Sequence, residues 1–145
     1  MMMLLLMIPS AIWAQDATTI QKQNREIYSL IDNYSLAREK RDTILLKRIL
    51  MPDVDQLVST GEWRTGIQSS VKGMLQSSAG SPGTRTLTVD KIRFLHAQCA
   101  IADANYEIQN ADGTLRKMWS TFVVVNHQGA WKISAIRNML PAGAR

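Results

Sequence analysis

At 145 residues, 46% of them hydrophobic and 20% charged, the chain has the length of one domain and enough apolar residues for a core, which excludes a disordered polymer. The formal charge is +5, and the one cysteine, Cys99, excludes an intrachain disulfide and a cysteine-rich zinc centre.

Met1 to Ile8 is an unbroken apolar run, ended by Pro9 and Ser10 and followed by Ala11-Ile12-Trp13-Ala14. A short apolar stretch, a breaker and a small residue are the order of a secretory signal peptide, here without Lys or Arg ahead of it, and cleavage is expected after Ala14. The run is too short for a bilayer core, which needs about 20 residues. The expected organisation is a leader at 1–14 and one domain at 15–145, in a secreted or periplasmic bacterial protein with no stable membrane span.

Asp16 to Thr19 supply N-cap chemistry, and Ile20, Ile27, Ile31 and Tyr34 recur at helical spacing with Leu30 widening the stripe. This predicts a helix from about Thr18 to Lys40. Asp42 can cap a short second helix bearing Leu45, Leu46, Ile49 and Leu50, which Met51-Pro52 ends. Arg38, Lys40, Arg41, Lys47 and Arg48 gather at this junction. Glu39 and Asp42 interrupt them and no aromatics interleave, so a solvated helical surface is expected, with no nucleic-acid partner.

Val54 to Thr60 reads as a short strand and Gly61 to Gly66 as a turn. Thr65 can cap a third helix with Ile67, Val71, Met74 and Leu75 on one face; Gln76 to Thr84, with Pro82, reads as an exposed loop. Four strands follow between Arg85 and Asn138. Leu87 and Val89 have one parity, Ile92 and Phe94 the other, and the slip near Asp90-Lys91 predicts a β-bulge. The next strand puts Ala100, Ala102, Ala104, Tyr106 and Ile108 on one face and Cys99, Ile101, Asp103 and Asn105 on the other. Asp112-Gly113 and Asn126 to Gly129 mark hairpin turns around the strand from Lys117 to Val125.

Two helices, a strand, Trp63-Arg64-Thr65-Gly66 leading into a third helix, and a bent sheet closing on Gly129-Ala130-Trp131-Lys132-Ile133 resemble the nuclear transport factor 2-like superfamily over Ile20 to Pro141. Its SnoaL-like and ketosteroid-isomerase-like branch is the most similar. The resemblance implies an α+β fold: a cone-shaped single domain with helices packed in a strongly curved antiparallel sheet and a pocket at the open end. It also implies a small ligand, and in some relatives a carboxylate that moves a proton beside a carbonyl. Fold alone does not transmit that chemistry.

Asp103 is the general-base candidate, since a poorly solvated carboxylate has a raised pKa. If its side of the strand is the solvated one, the role lapses. Tyr28, Tyr34 and Tyr106 are candidate donors to an enolate oxygen. Arg137 could clamp a ligand carboxylate or form a surface ion pair, as could Arg64; Trp63 could wall the pocket or cover the core. Trp119, Thr121 and Tyr106 could line the cavity or simply pack, and Trp131 is core. His96 and His127 lack metal spacing, Cys99 reads as a small buried residue, and there is neither a Gly-x-Ser-x-Gly elbow nor a phosphate loop, so no metal or cofactor is expected.

Three functions stay open. One is an exported domain that binds a small apolar or carboxylate-bearing molecule. Another is an isomerase- or cyclase-like enzyme using Asp103. The third is a homodimer module pairing through Trp119, Phe122 and Val124.

Overall fold

The computed structural model describes residues 11–80 and 83–143; the expected leader lies outside them over positions 1–10. The elements are α1 (Ala11–Lys40), α2 (Thr43–Ile49), β1 (Leu50–Leu57), β2 (Trp63–Thr65), α3 (Gly66–Gly80), β3 (Gly83–His96), β4 (Cys99–Asn110), β5 (Leu115–His127) and β6 (Ala130–Met139). The six strands form one sheet in the order β2-β1-β6-β5-β4-β3.

The sheet is mixed, which corrects the all-antiparallel expectation. β1 pairs parallel to β6, while every other pair is antiparallel. β1 follows directly from α2, so no hairpin dictates its direction. The Gly61–Gly66 turn holds β2, which pairs Gln56 with Arg64. The third helix runs on to Gly80 through the stretch expected as loop. There Ser77 Oγ donates to the Gly73 carbonyl at 2.9 Å, a back-bond that accommodates serine within a helix.

Capping and bulging follow the residue pattern. The Asp42 carboxylate accepts from Leu45 N at 2.9 Å. β3 shifts register against β4 between Val89 and Lys91, as the parity slip predicts. The extra residue, Asp90, lets Leu87, Val89, Ile92 and Phe94 all pack against the core. At the β5–β6 hairpin Gln128 and Gly129 both have positive φ, the backbone that a two-residue turn demands.

The core lies between α1 and the inner sheet face. Ile27, Ile31 and Tyr34 meet Ala100, Ala102, Phe122 and Ile133, all buried. Tyr34 and Phe122 pack edge to face with centroids 5.4 Å apart, and Phe94 does the same on Trp131 at 6.0 Å. Phe122 and Val124 are therefore core residues and cannot serve in pairing through an open face. Cys99 is half-buried on the outer face rather than buried.

Candidate functional site

Past the core, the inner face of the sheet and the end of α1 enclose a pocket of about 430 Å³. Tyr106, Ile108 and Met118 form its small apolar wall, because strand alternation turns each of them inward. Its charged lining is Arg38, Arg64, Arg85 and Arg116 against one acid, Glu62.

Arg38 is the unusual member. It falls four residues after Tyr34 and seven after Ile31, so the apolar stripe of α1 carries it inside, 7% exposed. Its guanidinium lies 5.6 Å from the Tyr34 ring centroid and 5.7 Å from that of Tyr106. Nη1 donates to the Tyr34 oxygen at 3.5 Å, and Nε has no partner. Among the described residues no carboxylate lies within ion-pair distance of it.

The neighbouring phenol does not supply the missing charge. Burial pushes the Tyr34 pKa up, and Arg38 only partly offsets it, so the phenol is neutral at pH 7. Burial also works against the Arg38 charge; the attraction that raises its pKa comes first from Tyr34 in its ionised form, which Tyr34 does not take at pH 7. The result is a buried cation without an anion among the described residues.

The Tyr34 shift predicts a pH effect. The folded phenol holds its proton above the ordinary value of 10.0, whereas the unfolded one releases it there. This contribution to stability is complete below pH 10 and is lost as pH rises through the folded pKa. Urea midpoints of the Tyr34→Phe variant should fall less above pH 10 than those of the parent; equal falls would contradict the assignment.

Arg64 is held from three sides. Its Nε donates to Glu62 at 2.9 Å, its Nη2 to Ser77 Oγ at 3.2 Å, and its side chain lies against Gly73 of α3. Arg64 hydrogen-bonds Glu62 and keeps that carboxyl below its ordinary pKa. A Cβ at Gly73 would overlap the Arg64 guanidinium. Gly73→Ala should therefore displace Arg64 and lower stability by about 1–3 kcal/mol, measured by denaturant unfolding. An unchanged midpoint would contradict it. Arg85 Nη2 donates to the Ser77 carbonyl at 3.2 Å and Arg116 Nη2 to Ser59 Oγ at 2.8 Å.

Of the residues expected at the site, Arg64 and Tyr106 line the pocket. The others lie elsewhere. Tyr28 is on the exposed side of α1. Asp103 alternates with the fully buried Ala102 and Ala104, so it faces the outer side of the sheet, where Thr121 donates to it at 2.6 Å. That placement removes it as an inward general base. Arg137 is taken by a bidentate pair with Asp55 at 3.0 and 3.1 Å, with Trp63 over its guanidinium at 4.8 Å. Neither reaches the pocket. Trp119, opposite Met139 in register, is also on the outer face.

The sequence reading missed Arg38, Gln56, Arg85 and Arg116 and set Arg38 on a solvated surface. The available signal was its spacing from Ile27, Ile31 and Tyr34, which extends the buried stripe by one step.

A second, more open cleft of about 620 Å³ lies between α1, α2 and the β5–β6 hairpin. Its cations are the exposed Lys22, Arg25 and Arg48 and the half-buried Lys132, and Lys22 pairs with Glu26 at 3.8 Å. Solvation meets most of their needs, unlike those of Arg38. Among the described residues there is no group of three or more His, Cys, Asp or Glu placed to hold a metal, and no helix long and apolar enough to cross a membrane.

No family model and no curated protein sequence matches the chain. Solved structures do. A nuclear transport factor 2-like protein with a cystatin-like fold from Novosphingobium aromaticivorans is similar at TM-score 0.78 and 15% identity, over 94% of this chain and 93% of that one. An uncharacterized protein with a cystatin-like fold from Caulobacter vibrioides follows at 0.73 and 17%, over 83% and 90%. A hexachlorocyclohexane dehydrochlorinase is similar at 0.74 and 14%, over 86% and 88%. At these identities the likeness establishes the fold: an α+β, cystatin-like domain of nuclear transport factor 2-like architecture.

Proposed function

We propose that this domain binds a small organic anion, of carboxylate type, in its arginine-lined pocket. The observation that carries the reading is the buried Arg38 guanidinium without a carboxylate partner among the described residues. A desolvated charge is costly until an opposite charge reaches it, so the pocket favours an anion. Tyr106, Ile108 and Met118 supply an apolar surface for the body of the ligand. The expectation of a carboxylate-bearing molecule gains support here; an uncharged apolar ligand would leave Arg38 unmet.

Catalysis is less well supported. A general base works best with a pKa near ambient pH. Asp103 is outside, and Glu62, the acid at the pocket, is exposed and held below the ordinary carboxylate range. The likeness to a dehydrochlorinase is one of fold alone.

Thermal melting with phenylacetate, phenylacetamide and phenethylammonium tests the reading. Ligands that bind only the folded state raise the melting temperature. Phenylacetate should raise it, the neutral amide and the cation should not, and equal responses to all three would overturn the proposal.

A second reading rests on the outer sheet face, where Trp119 and Met139 are register partners, 41% and 51% exposed. With the exposed Trp63 nearby over Arg137, they form an apolar patch suited to a homodimer. Sedimentation should then show a dimer at micromolar concentration and a monomer for Trp119→Lys; a monomeric parent would contradict it. We also propose export, with a mature protein beginning at Gln15, which the intact mass of secreted material checks.

A further inference from the structure

The pocket holds a second cation at its mouth. Strand alternation turns Ser120, Met118 and Arg116 to the inner side of β5, and the first two are buried. Arg116 is exposed, at the open end of the same pocket that Arg38 lines from within. Ser59, from the turn after β1, accepts from its Nη2 at 2.8 Å and holds the guanidinium there. Among the described residues no carboxylate lies within ion-pair distance of it. Its cross-strand partner is the apolar Ile108, whereas on the outer face the neighbouring Lys117 is opposite Glu107 and pairs with it at 2.9 Å. Asp112, the nearest acid in sequence, accepts instead from Thr114 N and Oγ1 at 2.9 and 2.6 Å.

The spacing between the two cations follows from the strand. The Arg38 guanidinium packs on Tyr106, which is opposite Met118 in register. Arg116 is the next inward position, about 7 Å further along β5. Tyr106, Met118 and Ile108 form the apolar floor between them. Arg64 is paired with Glu62 and Arg85 is tied to the Ser77 carbonyl, so Arg38 and Arg116 are the cations that face a ligand. A monocarboxylate on Arg38 leaves the cation at the mouth unanswered. We infer that the pocket takes a dicarboxylic acid, with one carboxylate on Arg38, the other on Arg116 and an apolar body across Tyr106 and Met118. This rests on the anion reading and adds a second charge to it. About 430 Å³ accommodates a monocyclic diacid. The two contacts differ in kind: the buried one supplies most of the affinity, and the exposed, solvent-screened one selects for length.

The test is calorimetric titration of the full chain with phenylacetate, para-phenylenediacetate and ortho-phenylenediacetate. The two diacids carry equal charge, but only the para isomer sets its carboxylates at opposite ends of the ring. The para isomer should bind about fivefold or more tightly than phenylacetate, the upper range of an exposed ion pair, and the ortho isomer should not. Arg116→Gln, checked for a native circular dichroism spectrum, should bring the para isomer close to phenylacetate. Arg116→Lys, which keeps the charge, should retain most of the advantage. Equal affinities of phenylacetate and the para isomer overturn the second contact and leave the anion reading standing. Equal gains by both isomers reduce the effect to general charge attraction and also overturn it, as does an advantage that survives Arg116→Gln. If none of the three acids binds, the anion reading itself fails, and this inference with it.

Discussion

Replacing Arg38 with methionine should make the empty protein more stable and abolish its response to carboxylates. Burying a cation without an anion costs several kcal/mol. The faces of Tyr34 and Tyr106 and one long hydrogen bond return about 1–2 kcal/mol of that. Methionine fills a similar channel with a flexible apolar chain. The net gain should be about 1–3 kcal/mol, or a rise in melting temperature of roughly 3–10 °C for a domain of this size. Scanning calorimetry of the unliganded variant reads the first effect and titration with phenylacetate the second. A stabilised variant that no longer binds identifies Arg38 as a group kept for function at the expense of stability. A variant that melts lower than its parent would make Arg38 a structural residue and remove the physical basis of the site.

Phe122→Ala should produce the opposite and larger change. The ring is fully buried between α1 and the sheet and meets Tyr34 edge on. Its loss removes transfer free energy and leaves a cavity, about 3–5 kcal/mol together. That is a large share of the roughly 5–15 kcal/mol that holds a domain folded. Urea denaturation should show the midpoint falling accordingly. Tyr34 also supports Arg38, so carboxylate affinity should weaken at temperatures where the variant is still folded. A change below about 1 kcal/mol would mean that the cone closes over the gap.

The two variants act on neighbouring residues in opposite directions because core and pocket share one helix stripe. Ile27, Ile31 and Tyr34 anchor α1, and the next inward position, Arg38, starts the pocket. That continuity explains what was legible in the residues. Period-2 alternation located β3 to β6, and the parity slip at Asp90 located the bulge, since one extra residue is the only way to keep four apolar side chains on one face. Facing was less legible. The alternation of β4 sorts Asp103 from Tyr106 but does not say which side is wet; only the helix crossing the alanine side decides it. Arg38 was obscured for another reason. Its neighbours Glu39, Lys40 and Arg41 are all exposed, so local composition pointed to the surface while helical phase pointed inward. The direction of β1, likewise, depends on a partner some eighty residues away. Gln56, Arg85 and Arg116 come from three different strands, and no local pattern joins them.

The most direct measurement is a crystal structure grown with para-bromobenzoate, the bromine being located by its anomalous scattering. The carboxylate should lie against Arg38, with the bromine toward Tyr106 and Met118. A bromine found instead in the open cleft beside Arg25, Arg48 and Lys132, with the Arg38 pocket empty, would contradict the assignment of the binding site.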